Sequence, residues 1–345
     1  MMPPRDDDAT KTVTPPAAAA TARHWRILRN ALVSRTRDTE TDTSHSSVST
    51  EFFPCFASRL VADEDTAKQV TQRAASDFEW RIYDITKSVS GHESSTKSVF
   101  VHEKRKLQRV SLAELFSHQL NNGVDNTGNI RTWPSEPILL SYLLKNNVCR
   151  QLADAHAPSR RAIRCCELGS GMAGVVGLGL MAHEGALIDS MLITDGNPSA
   201  VRNLQICVDE NIAQGVIPRD RRDAVQAKLL RWDRDVRFDD AMQSQFDLVV
   251  AGDCLFFEEF HVDLASTIHQ LLRPETGRCL LMQPRRNGSM ERFVAVARQQ
   301  FALHVDVCSD FDAEIQRRHQ SYSTHMPHYA PDVHLPILLT LRRLT

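Results

Sequence analysis

Residues 165–177 read CCELGSGMAGVVG. The run that leads into them, AIRCCEL (162–168), is apolar and short, which suits a buried strand. Gly169-Ser170-Gly171-Met172-Ala173-Gly174 then spells G-x-G-x-x-G, and an apolar helical stretch follows to about residue 183. A glycine loop between a strand and a helix lets the backbone approach a ligand where any Cβ would collide, with the helix amides beyond it as donors. The spacing suits the loop of a nicotinamide-dependent oxidoreductase. It suits a methyltransferase loop for S-adenosylmethionine equally well, and a purely structural turn is a third reading.

Neighbouring residues separate these readings. Glu167 stands two positions before Gly169. A carboxylate there would repel an anionic pyrophosphate, whereas S-adenosylmethionine carries a sulfonium and an ammonium and no phosphate. The rival role for Glu167 is to cap the helix or orient the loop. Asp195 ends a second strand, SMLITD (190–195), where a carboxylate suits two vicinal ribose hydroxyls. It could instead cap the helix that opens at Pro198, a role for which Asn197 competes. Trp232 follows a third strand, AKLLRW (227–232), and offers an aromatic face to an adenine unless it belongs to the core. Asp253 leaves a fourth strand, FDLVVAGD (246–253), at the edge where donor and acceptor would meet, with Phe256 and Phe257 as an apolar wall or as ordinary core. Trp133, in Trp133-Pro134-Ser135-Glu136-Pro137, precedes an apolar helix that Ser135 suits as N-cap.

Farther along, FHVDLASTIHQLL (260–272) and SMERFVAVARQQ (289–300) read as helices, RCLLMQP (278–284) as a fifth strand, and ALHVDVC and HLPILLTLRR as two final strands. Strands alternating with helices predict a mostly parallel α/β sheet covered on both faces. Upstream, EFFPCF, FEWRIYDI and KSVFVHEKR read as strands separated by turns, SLAELFSHQL (111–120) as a capped helix, and HWRILRNALVSR (24–35) as a short amphipathic helix. The expected division is a disordered tail over 1–22, a helix and β-rich accessory region over 23–124, and the main domain over 125–345.

The 345 residues are 42% hydrophobic and 24% charged, with a formal net charge of −2, an ordinary globular composition without a basic field for nucleic acid. No apolar run is long enough to span a membrane. The eight cysteines include no C-x-x-C pair and several sit in apolar runs, which fits reduced thiols in a cytosolic protein. Cys308, His319, His325 and His328 match no compact zinc spacing, so no metal site is expected, and the histidines read as a polar surface loop.

Taken together in this order, TGNIRTWPSE, CCELGSGMAG, MLITDGN with AVRN, LRWD and FDLVVAGDCLF resemble the seven-β-strand protein methyltransferases of family 16, in their calmodulin-lysine branch. The similarity runs from about residue 24 to 343 and is densest over 125–290. It implies a Rossmann-like, class I methyltransferase sheet of order 3-2-1-4-5-7-6 with the seventh strand antiparallel. It further implies S-adenosylmethionine as donor and a lysine of calmodulin as acceptor, carried to the trimethyl state. Residue by residue, cofactor contacts would fall to Trp133, Glu167, Gly169, Gly171, Asp195, Trp232 and Gly252. Asp253 and Phe256 would take the substrate-side D-x-x-Y motif, with Phe256 lacking the hydroxyl of the family's tyrosine. A monomer in the cytoplasm, and also in the nucleus, completes the expectation. Because calmodulin is acidic, three basic clusters are candidate docking patches: His102 with Lys104, Arg105 and Lys106; Arg285 with Arg286; and Arg317 with Arg318.

Overall fold

The computed structural model describes residues 52–61, 70–72, 74, 77–88, 94–105, 132–155 and 161–344. The expectations for 1–50 and for the helix at 111–120 lie outside the described residues. Residues from Glu51 to Thr345 form one compact unit.

A small antiparallel sheet comes first, made of β1 (Ala57–Leu60), β2 (Phe78–Lys87) and β3 (Ser95–Lys104) in that order. The β2–β3 pair is long and in continuous register from Phe78↔Lys104 to Lys87↔Ser95. The expected strand EFFPCF is not one: Pro54 interrupts it, and pairing begins only at Ala57. Phe52 and Phe53 instead pack edge-on against Tyr322 and Tyr329.

The main sheet holds β4 (Ile163–Glu167), β5 (Ile188–Asp195), β6 (Val225–Leu229), β7 (Leu248–Gly252), β8 (Arg278–Gln283), β9 (Leu303–Cys308) and β10 (Ile337–Arg343). Across the sheet they lie β6-β5-β4-β7-β8-β10-β9, which is 3-2-1-4-5-7-6 when counted from β4. All neighbours are parallel except β10, which is antiparallel to both β8 and β9. The order reverses between β4 and β7, so the crevice beyond the carboxyl ends of those two strands is where this topology binds a ligand.

Period-2 alternation splits the core in two. Cys165, Leu248, Val250, Leu280 and Met282 face one layer, while Cys166, Val249, Ala251, Cys279 and Leu281 face the other. The first layer is covered by α1 (Ser135–Lys145), α2 (Val148–Ala155), α3 (Val175–Glu184) and α4 (Pro198–Ala213). The second is covered by α5 (His261–Leu271) and α6 (Ser289–Phe301). None of the eight cysteines is in a disulfide.

Buried polar side chains of α4 fasten the small sheet. Asn211 accepts from Phe100 N at 3.0 Å and donates back to Phe100 O at 2.7 Å, so it takes the place of a pairing strand. Asn203 donates to His102 O and also to Met172 O in the glycine loop. The accessory sheet and the ligand loop thus share one side chain. The amide groups of Asn203 and Asn211 thus find partners on both their oxygen and nitrogen, as a core position demands.

Three local expectations are corrected. The third strand ends at Leu229, three residues short of Trp232, with Leu230 turned into the second core layer. Ser135 does not cap α1; the cap position falls on Pro134, and the Glu136 carboxylate closes the turn by accepting from Trp133 N at 3.0 Å. His319 and His325 sit on a helix, α7 (Ala313–His325), capped by Asp312, rather than on a loop. A four-residue helix, α8 (Pro331–His334), then leads into β10.

Candidate active site

The carboxyl ends of β4 and β5 fix the loop. Leu168 N donates to Val250 O and Ser170 N to Thr194 O, both at 2.9 Å, tying the chain to the strands on either side. Gly169 has φ +62°, and a Cβ there would fall 2.8 Å from Cys254 Sγ and 3.0 Å from Trp232 Cζ2. Gly169 is therefore required both for its backbone conformation and for the close packing of Trp232 and Cys254 against the loop. Trp232 is half-buried there, which brings it to the loop although it lies beyond its strand.

Asp195 does not cap α4. Its Oδ2 accepts from Gly171 N at 3.0 Å and its Oδ1 from Asn197 N at 2.7 Å, while Asn197 is the cap and accepts from Ser199 N. One carboxylate thereby joins the glycine loop to the turn after β5.

Glu167 is 1% exposed, and its Oε2 accepts from Gly177 N at 2.8 Å, inside the first turn of α3. That contact depends on Gly177, where a Cβ would lie 2.8 Å from the same oxygen. The carboxylate acts through the loop and helix it positions. Burial pushes its pKa up to about 7 against an ordinary 4.5, with the amides of Gly177 and Val176 opposing. For an acid raised on folding, the stabilising contribution is complete below pH 4.5 and is lost as pH rises through about 7. Relative to Glu167→Gln, the ligand-free protein should lose roughly 3 kcal/mol of stability between those limits. Unfolding free energies of the two proteins at pH 5 and pH 8 check this; a difference independent of pH would contradict it.

Beyond β7 the chain turns at Asp253, which has φ +56°, an unusual conformation for a residue other than glycine. Its amide donates to Met282 O at 2.9 Å. Its buried carboxylate accepts two bonds from the Arg286 guanidinium, one of them from Nε at 2.9 Å. Arg286 also lies over the rings of Phe256, at 5.3 Å, and Trp133, at 6.0 Å. Its own loop is held by Asp332, which accepts from the amides of Arg286 and Asn287. Phe256 and Phe257 are buried and meet edge to face at 4.8 Å. Arg286 thus joins Trp133 to the turn that carries Asp253 and Phe256.

Gly252, at the end of β7, faces α1. A Cβ there would lie 2.8 Å from Glu136 Cγ. From the other side, Glu103 of β3 accepts from Arg81 Nε, Tyr83 OH and Thr132 Oγ1, so the small sheet grips the residue just before Trp133. Glu167, Gly169, Gly171, Asp195, Trp232, Gly252, Asp253 and Phe256 thus lie at or just beyond the carboxyl ends of β4, β5, β6 and β7, and Trp133 is tied to them through Glu136 and Arg286.

Three residues here were not singled out from the sequence as site residues: Glu136, Cys254 and Arg286. Arg286 had been grouped with a docking patch, and the structure removes it, because it is 7% exposed and paired with Asp253. Of the other two clusters, His102 is buried and stacked on Phe78, whereas Arg317 stays largely exposed beside Glu314.

Glu136 and Glu167, whose pKa values burial raises, would resist an anionic pyrophosphate and be drawn into their ionised forms by a cationic ligand, with the Asp195 carboxylate beside them. With a glycine loop, hydroxyl-accepting oxygens on Asp195 and an aromatic face on Trp232, the residues fit S-adenosylmethionine. The fold and site together define a methyl-group transferase. Residues 117–300, more than half of the chain, match the lysine methyltransferase family, and the protein belongs to it. Its methyl donor is S-adenosylmethionine, and the oxidoreductase alternative falls. The chain is similar to a calmodulin-lysine N-methyltransferase of Arabidopsis thaliana, 29% identical over 342 residues, which cover 95% of this chain and 98% of the plant protein. Solved structures are far more distant. Phosphoethanolamine N-methyltransferase 2 of Haemonchus contortus is 12% identical with a TM-score of 0.36, over 80% of this chain and 71% of that one. Geranyl diphosphate C-methyltransferase from Streptomyces coelicolor is 10% identical with a TM-score of 0.36, over 62% and 85%.

Proposed function

We propose that the acceptor is a lysine of calmodulin, methylated stepwise to the trimethyl form. The observation that supports this is the similarity to the plant calmodulin-lysine methyltransferase, which extends over 95% of the chain rather than over the catalytic half alone. In this reading Trp133, Gly169, Gly171, Trp232 and Gly252 shape the donor pocket, Asp195 accepts from the ribose hydroxyls, and Glu167 holds the loop in place. Bound there, S-adenosylmethionine supplies an electrophilic methyl group on a positively charged sulfur.

The chain's own contribution is alignment and exclusion of water. Asp253, fixed by Arg286, orients the acceptor amine through its remaining lone pairs. Phe256 and Phe257 present apolar surface to the amine, and a dry surface favours its neutral, nucleophilic form over the ammonium. With no hydroxyl at position 256, orientation by that side chain is by shape alone.

The test is incubation of the enzyme and labelled donor with unmethylated calmodulin and a panel of other proteins, followed by mass mapping. Label on one calmodulin lysine is expected. Label on a different protein, with calmodulin untouched, would overturn the acceptor while leaving the lysine methyltransferase class intact.

A further inference from the structure

Among the described residues, Glu136 is the one acid with a buried oxygen that lacks a hydrogen bond. It is 4% exposed, and its Oε1 accepts from Trp133 N, but its Oε2 is buried with no hydrogen-bond partner among the described residues. The neighbouring carboxylates all have partners: Glu103 has Arg81, Tyr83 and Thr132; Glu167 has Gly177 N; Asp253 has Arg286. These three acids, from β3, the end of β4 and the turn after β7, also repel a charge on Glu136, and burial together with that repulsion pushes its pKa well up. A buried carboxyl with one empty oxygen, among like charges, is costly unless a cationic donor completes it.

The reaction offers three cations. A sulfonium has no N–H and cannot satisfy an orphaned oxygen. The acceptor's ε-ammonium must lose its proton before it attacks, and a carboxylate with no cation of its own, unlike Asp253 with Arg286, would hold it in the unreactive form. The donor's α-ammonium stays charged throughout and has three N–H groups. Gly252 at the end of β7 packs directly on Glu136, since any side chain there would strike its Cγ.

On this basis, and resting on the reading that this crevice holds S-adenosylmethionine, we infer that Glu136 is the anchor for the α-ammonium group of the methyl donor. It joins the donor pocket to α1 and, through Trp133, to the cluster around Arg286.

The test uses the full chain and two ligands, titrated calorimetrically. S-adenosylhomocysteine carries the α-ammonium; 5′-methylthioadenosine keeps the adenosine and the thioether but has no amino acid. Glu136→Gln preserves size and can still accept from Trp133 N. It should weaken S-adenosylhomocysteine about 10- to 100-fold, the scale of one charge-assisted bond, and leave methylthioadenosine unchanged. Glu136→Asp, which keeps the charge but retracts it, should recover part of the lost affinity. Equal loss for both ligands, or no loss for either, would overturn the inference. So would unchanged S-adenosylhomocysteine affinity with a raised KM for the acceptor, which would point to the lysine amine instead. If the wild type bound neither ligand, the donor site itself would be misplaced, a separate failure.

Discussion

Replacing Asp253 with alanine should destabilise the protein by about 3–5 kcal/mol, because it strands the Arg286 guanidinium inside the fold. Both side chains of the pair are at most 8% exposed, so water cannot take over. Arg286→Met should cost a similar amount by stranding the carboxylate. The double variant should cost clearly less than the sum, since it removes both charges together. Chemical denaturation of the four proteins measures the coupling, and simple additivity would show that the pair is not buried as described. Asp253→Asn keeps the shape and one acceptor for the guanidinium, so it should cost less stability than the alanine variant. Its kcat should fall about 100-fold, the scale of a misplaced reacting group, while S-adenosylhomocysteine affinity stays near that of the wild type.

Gly169→Val should remove donor binding, lowering affinity for S-adenosylhomocysteine by about two orders of magnitude. A β-branched residue at φ +62° carries about 1–2 kcal/mol of backbone strain. Its Cβ would also press on Cys254 and Trp232, adding an overpacking term of about 1–3 kcal/mol. The loop can escape both only by moving, and the preformed cradle goes with it. Gly215→Ala is the control: it shares a positive φ, but its Cβ would meet nothing within 4 Å. It should cost stability alone and leave ligand affinity untouched. Equal effects of the two substitutions on affinity would contradict a specific role for Gly169.

The main sheet was legible because its central strands are unbroken apolar runs followed by helices. Asp195, Trp232 and Asp253 could be placed from their positions just after such runs. The small sheet was less legible. Every residue of β1, ASRL, is exposed, so no alternation marks it, whereas the apolar EFFPCF packs on tyrosines instead of pairing. The helix α7 buries only Ile315, so its sequence is polar all round and shows no helical period. Arg286 was hidden for another reason. Two adjacent arginines look alike in sequence, and only the turn through Arg286, Asn287 and Gly288, all at positive φ, sends one inward. Glu136 stood in plain view in WPSE, but Ser135 offered the more familiar cap. That the carboxylate instead closes the turn with one oxygen, leaving the other empty, is a fact of three dimensions.

The central claim is that this crevice passes a methyl group from S-adenosylmethionine to a lysine beside Asp253. Methyl-labelled donor, incubated with unmethylated calmodulin and either the wild type or the folded Asp253→Asn variant, tests it most directly when the product is sequenced by mass spectrometry. Label on a lysine side chain with the wild type, and about 100-fold slower labelling with the variant, is the predicted result. Label on any other residue type, or equal rates for the two proteins, would contradict it.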